Sequence, residues 1–188
     1  MSLTGKAGRA RRYDFAPMPG FANPEVARQV ALLDEMHERM YDLIIDLPQE
    51  AMDFVPEGGN NSIAMLALHI VKGEASWVGN VMQSHVDEGL AKELQAGSQD
   101  GATGELPYSS HTGSELVALA RRVSNELTHP LLRNVDDIDS EVRSGDRILT
   151  IRGVLLHLVW HITNHSGQIG MLRRLAGERY RWQFGENL

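Results

Sequence analysis

Three histidines stand four residues apart, His157, His161 and His165, in a run from 150 to 177 that contains no proline. At 3.6 residues per turn, side chains four apart lie one above another, so the three imidazoles form one stripe on a helix face. Leu155, Leu158, Ile162, Ile169 and Leu172 flank the stripe and turn it toward an apolar interior. Imidazoles buried there cost free energy unless each ring nitrogen finds a partner. A divalent cation is one such partner, because two histidines at i and i+4 let one rigid helix offer two ligands to one ion. Backbone groups or ordered water are the other, and the spacing does not choose between them.

The elements that must position this stripe are helical. Asn23, Pro24 and Glu25 are a helix start: a capping amide, a proline at the first helical position, and an acid at the positive end. Val26, Val30, Leu33, Met40, Leu43, Ile44 and Leu47 follow at three- and four-residue spacing, and Pro48 ends the run. His37 lies at the edge of this stripe among Glu35, Glu38 and Arg39, which predicts a surface or boundary place for it.

A second helix is expected from Ile63, capped by Asn60 or Asn61, with Leu66, Ile70, Trp77, Val78 and Val81 inward and His69 among them. Residues 85–111 read as a long crossover holding one short helix, with His85 and His111 on its surface. Thr112 to Glu115 is a capping box that opens a third helix, ended or kinked by Pro130. Ser144, Gly145 and Asp146 join two very short strands, Thr150 caps the last helix, and Gly177 closes it. The fold class is therefore all-α, with four main helices.

Composition narrows the chemistry. The 188 residues suit one domain, with an arm at 1–22, a helical body at 23–177 and an aromatic tail at 178–188. The tail is expected to pack on its own helices or on a second subunit. A net charge of −7 argues against nucleic acid as a partner, since phosphate binding needs a basic surface. No apolar run is long enough to span a bilayer and no signal-peptide core opens the chain, so a cytoplasmic, membrane-free protein is expected. With no cysteine among the 188 residues and eight histidines, a thiolate zinc site and a cysteine nucleophile are excluded. Any thiol in the reaction must come from outside.

The local sequence His161-x-x-x-His165-Ser166-Gly167-Gln168-Ile169, followed by Leu172-Arg173-Arg174-Leu175, carries a resemblance. So do Leu66-Ala67-Leu68-His69-Ile70-Val71 and Glu74-Ala75-Ser76-Trp77. Together they resemble the DinB/YfiT-like superfamily of metal-binding four-helix bundles, over about residues 24–177. The resemblance implies that His69, His161 and His165 are the metal ligands, with His157 one turn outside the set. It also implies that the ion activates a low-molecular-weight thiol, of the bacillithiol, mycothiol or glutathione kind, for transfer to an electrophile in detoxification or stress response.

Imidazole ligands suit zinc or nickel among other ions, and three of them leave a coordination position open for a small-molecule substrate. Glu74, five residues past His69, is the expected catalytic residue. It would hydrogen-bond a ligand imidazole or reach the ion's open side, or else stand as an exposed helix acid. Two other readings accompany the thiol transferase: a hydrolase that activates metal-bound water with help from Glu74, and a non-enzymatic module in which the metal only ties two helices together. A homodimer is expected.

Overall fold

The structure, a computed structural model, describes residues 15–95 and 109–179. Most of the basic arm, part of the crossover and the tail from Tyr180 lie outside those residues. Helix α1 spans Pro24–Ile44. Asn23 caps it, its side-chain oxygen accepting from the Glu25 N–H at 2.8 Å and the Val26 N–H at 3.3 Å. The helix stops before Leu47, short of the sequence expectation, because the chain must turn there ahead of Pro48. Leu47 still packs into the core from that turn. A short helix α2, Gln49–Met52, follows.

Helix α3 spans Ile63–Val81. Its cap is Ser62, not Asn60 or Asn61: the Ser62 hydroxyl accepts from the Met65 N–H at 3.2 Å, which makes the fully buried Ile63 the first helical residue. Helix α4, Glu88–Gln95, is the short helix expected in the crossover. Helix α5, Gly113–Arg122, begins with the Thr112 and Glu115 capping box. A Cβ on Gly113 would lie 2.0 Å from the Ile44 carbonyl oxygen, so only glycine lets the start of α5 sit on the end of α1.

The helical path does not break at Pro130. It continues through a π-helical turn, Val123–Thr128, and a final helix α6, His129–Leu132. Pro130 has no N–H for the carbonyl four residues back, and the wider turn just upstream accommodates the misfit. Strands β1, Glu141–Ser144, and β2, Arg147–Thr150, pair antiparallel with Ser144 opposite Arg147, around Gly145 at φ +60°.

Helix α7, Ile151–Leu175, starts on a Thr150 hydroxyl that accepts from the Gly153 N–H. It ends in a Schellman turn: Gly177, at φ +86°, donates to the Arg174 carbonyl, and Glu178 donates to the Arg173 carbonyl. Helix α7 packs on both α1 and α3, while α5 and its π turn close the other side of α3. Leu155, Leu158, Ile162 and Ile169 all reach the core. None of the described helices is long and apolar enough to cross a membrane.

Arg173 does more than offset the helix dipole. It is 2% exposed, donates to the Leu43 carbonyl at 2.7 Å, and holds both carboxylate oxygens of Asp46, at 2.8 and 3.2 Å. This bidentate clasp ties the end of α7 to the end of α1. Arg173→Met keeps the apolar stem but leaves the Leu43 carbonyl unpaired, so chemical denaturation should show a loss of about 2 kcal/mol. Unchanged stability would mean that the clasp is energetically idle.

Candidate metal centre

His69 comes from the middle of α3, and His161 and His165 from successive turns of α7. The three rings meet where these helices pack. One nitrogen from each lies within 4.8 Å of the other two. Ring centroids are 4.7 Å apart for His69 and His161, 4.9 Å for His69 and His165, and 4.6 Å for His161 and His165. The rings meet edge to face, at interplanar angles of 61°, 89° and 85°.

His69 Nε2 and His161 Nε2 are 2.9 Å apart. Two nitrogens each about 2.1 Å from one ion stand roughly 3.0–3.4 Å apart at bond angles of about 90–110°, so this pair lies at the short end of the spacing for a shared cation. Among the described residues no carboxylate joins the group.

The protonation state fits the same use. Burial lowers the pKa of His69, and the neighbouring charges of His165 and Lys72 lower it further. Burial, with His69, His165 and His157 nearby, pushes His161 down to about 4. Both rings are therefore neutral near pH 7, each with one ring nitrogen unprotonated.

Outer contacts orient the rings unequally. Gln168 Oε1 lies 2.7 Å from His165 Nδ1, which keeps that ring's proton on Nδ1 and frees Nε2. His161 Nδ1 is buried with no hydrogen-bond partner. Its ring edge lies against Gly73, where a Cβ would come within 3.0 Å of Cε1, so the close approach of α7 to α3 depends on that glycine. Gln168→Ala should leave the fold intact and weaken metal binding by about 10- to 100-fold, as read by competition with a chelator. An unchanged affinity would show that His165 needs no orienting partner.

Two other residues stand apart from the group. His157 packs between Trp77, at 4.6 Å between centroids, and Trp160, at 5.6 Å, and stacks on His161 at 5.7 Å. Glu74 is neither an exposed helix acid nor a neighbour of the three histidines: it is 1% exposed and faces across the core. It accepts from the Thr128 hydroxyl at 2.6 Å and, weakly, from Ser124 at 3.5 Å, both in the π turn.

Glu74 Oε2 also lies 2.8 Å from His37 Nε2, an ion-pair contact without the alignment of a hydrogen bond. His37, expected near the surface, is 1% exposed. Burial alone would lower its pKa, but the Glu74 carboxylate outweighs that and the net shift is upward. Burial would likewise raise Glu74, and His37 with Thr128 overturns it to give a net lowering. The two form a charged pair inside the protein. His85 is exposed as expected, and the half-buried His111 bonds the Ser109 hydroxyl at 3.0 Å through Nδ1.

A family model for the DinB superfamily matches residues 32–169, which takes in every residue of the group. The chain belongs to the DinB superfamily. Among solved structures, this DinB chain is similar to a DinB-like protein from Bacillus cereus ATCC 10987, at 17% identity and a TM-score of 0.59, over 82% of this chain and 96% of that one. At that identity the likeness speaks for the shared DinB fold alone. No curated protein matches the sequence.

Proposed function

We propose that this DinB-superfamily chain is a four-helix-bundle enzyme in which His69, His161 and His165 hold zinc or nickel and a low-molecular-weight thiol is activated for transfer to an electrophile. The observation that carries the reading is the donor set: three imidazoles from two helices, with no carboxylate in the group. Once bound, an ion in such a set keeps its full charge and lowers the pKa of a thiol or water beside it.

The chain's own residues prepare that chemistry. His161 is buried while His69 and His165 are part-exposed, so a small molecule approaches from the side of the latter two. Gln168 holds the His165 proton away from the donor nitrogen. Trp77 and His157 supply an aromatic wall beside His161. The chain has no sulfur nucleophile of its own to compete with an incoming thiol, since it lacks cysteine.

A hydrolase would call for an acid at the ion, and Glu74 is engaged with His37 and Thr128 instead. A purely structural ion would sit in a closed shell, which the part-exposed His69 and His165 do not favour. The test mixes metal-loaded protein with bacillithiol, mycothiol or glutathione and a chromogenic electrophile. At least one thiol should react faster than with metal-free protein, and His161→Ala should abolish the gain. No gain with any thiol overturns the reading.

The same reading includes a homodimer. Leu156, Trp160, Met171 and Leu175 form an exposed apolar line along α7, with Trp160 60% exposed. Sedimentation should give twice the chain mass for the wild type and a single chain for Trp160→Glu. A monomeric wild type removes this part of the proposal.

A further inference from the structure

Away from the three histidines, α1 and the α5 and π-helical segment face each other across a cleft of about 190 Å³. Its walls include Asp34, His37 and Glu38 on α1, and Arg121, Asn125 and His129 opposite. It shares no residue with the metal group. Pockets for drug-sized ligands begin at about 300 Å³, so this one suits a smaller molecule. Every lining residue carries a polar group, so a ligand meets hydrogen-bonding partners on both walls.

Charge sets the ligand class. Arg121 reaches Glu38 at 3.4 Å, and His129 Nε2 lies 3.0 Å from Asp34 Oδ1. Both pairs cross the cleft and both are partly open to water, where such pairs are weak and exchange partners at little cost. Acids on one wall face bases on the other, so a ligand with both signs of charge can replace each internal partner with its own.

His37 backs the α1 wall of the cleft. It is almost wholly buried, its Nε2 faces Glu74, and its Nδ1 has no hydrogen-bond partner. The Glu74 carboxylate and the burial of Nδ1 keep this ring part of the wall, and the ligand contacts fall to the more exposed charges around it. The π turn brings Asn125 to the same cleft, and π turns inside α-helices occur often at functional sites.

We propose that this cleft binds a small zwitterion of the amino-acid type, its carboxylate held by Arg121 and His129 and its ammonium by Asp34 and Glu38. Neither net charge nor bulk would then be left unmatched. The site lies outside the metal group and needs no ion.

Calorimetric titration of the full chain with glycine and serine, beside acetate and methylammonium as single-charge probes, tests this. The amino acids should bind at least about tenfold more tightly than either single-charge probe. Arg121→Gln and Asp34→Asn, both surface changes checked for folding by circular dichroism, should each weaken binding by about tenfold. His161→Ala should leave it unchanged. No binding by either amino acid overturns the proposal. Acetate matching glycine, or a loss that follows His161→Ala and not the cleft variants, overturns it equally.

Discussion

His161→Ala is expected to lower divalent-metal affinity by more than about 100-fold while the protein stays folded. His161 is the most buried of the three histidines and the one whose nitrogen lies 2.9 Å from its neighbour on α3. Loss of a partner outside the coordination sphere already costs 10- to 100-fold, so loss of a ligand should exceed that range. Folding should survive because the metal-free protein already carries a cost at this position: His161 Nδ1 is buried without a partner, and alanine removes that cost along with the ring. Competitive titration against a chelator gives the affinity and circular dichroism the fold. Wild-type affinity in a folded variant would mean that the ion binds elsewhere.

The second large effect lies across the core. Glu74→Ala should cost about 3–5 kcal/mol, because it leaves a buried imidazolium without its counter-charge and opens space between α1, α3 and the π turn. For a chain of this size that is a drop in melting temperature on the order of 10 °C, and a large share of a typical stability of 5–15 kcal/mol.

Glu74→Gln, which keeps the shape, separates charge from packing through pH. The folded pKa of His37 is raised, so its share of the stability is complete below the ordinary imidazole value near 6.5 and is lost as pH rises through the folded value. The folded pKa of Glu74 is lowered, so its share is complete above the ordinary carboxyl value near 4.5 and is lost as pH falls through the folded value. The stability difference between wild type and Glu74→Gln should therefore be largest between about pH 4.5 and 6.5 and shrink toward alkaline pH. His69 and His161, with lowered pKa values, act in the opposite direction on acidification, but they are common to both proteins and cancel in the difference. A difference that does not vary with pH would show that the pair is held by packing alone.

The clustering of the histidines was legible in the sequence because its cause is local. Two histidines four apart on one helix fix their own geometry, and the family pattern around His69 and Gln168 added the third ring. The buried pair was less legible, although its signal was present. Val30, Leu33, His37, Met40 and Ile44 recur at spacings of three and four, which places His37 on the core line of α1 despite the charged residues beside it. Ile63, Ala67, Ile70, Glu74, Val78 and Val81 do the same for Glu74 on α3. Each reads alone as a misplaced polar residue; only when the helices are packed does one become the other's partner.

The π turn left no such trace. It answers a proline, two hydroxyls and a carboxylate 50 residues away, and no local spacing encodes that sum. Ser62 as the α3 cap, and Gly113 and Gly73 as points of close approach, likewise depend on what another helix places opposite them.

In the proposed centre one ion is held by nitrogen from His69, His161 and His165. Metal-edge X-ray absorption on protein loaded with zinc reads this directly. The expected spectrum has three imidazole nitrogens at about 2.0–2.1 Å and one or two further light-atom ligands, with one imidazole lost in His69→Ala. A shell with fewer than three imidazoles in the wild type, or an unchanged shell in His69→Ala, would contradict it.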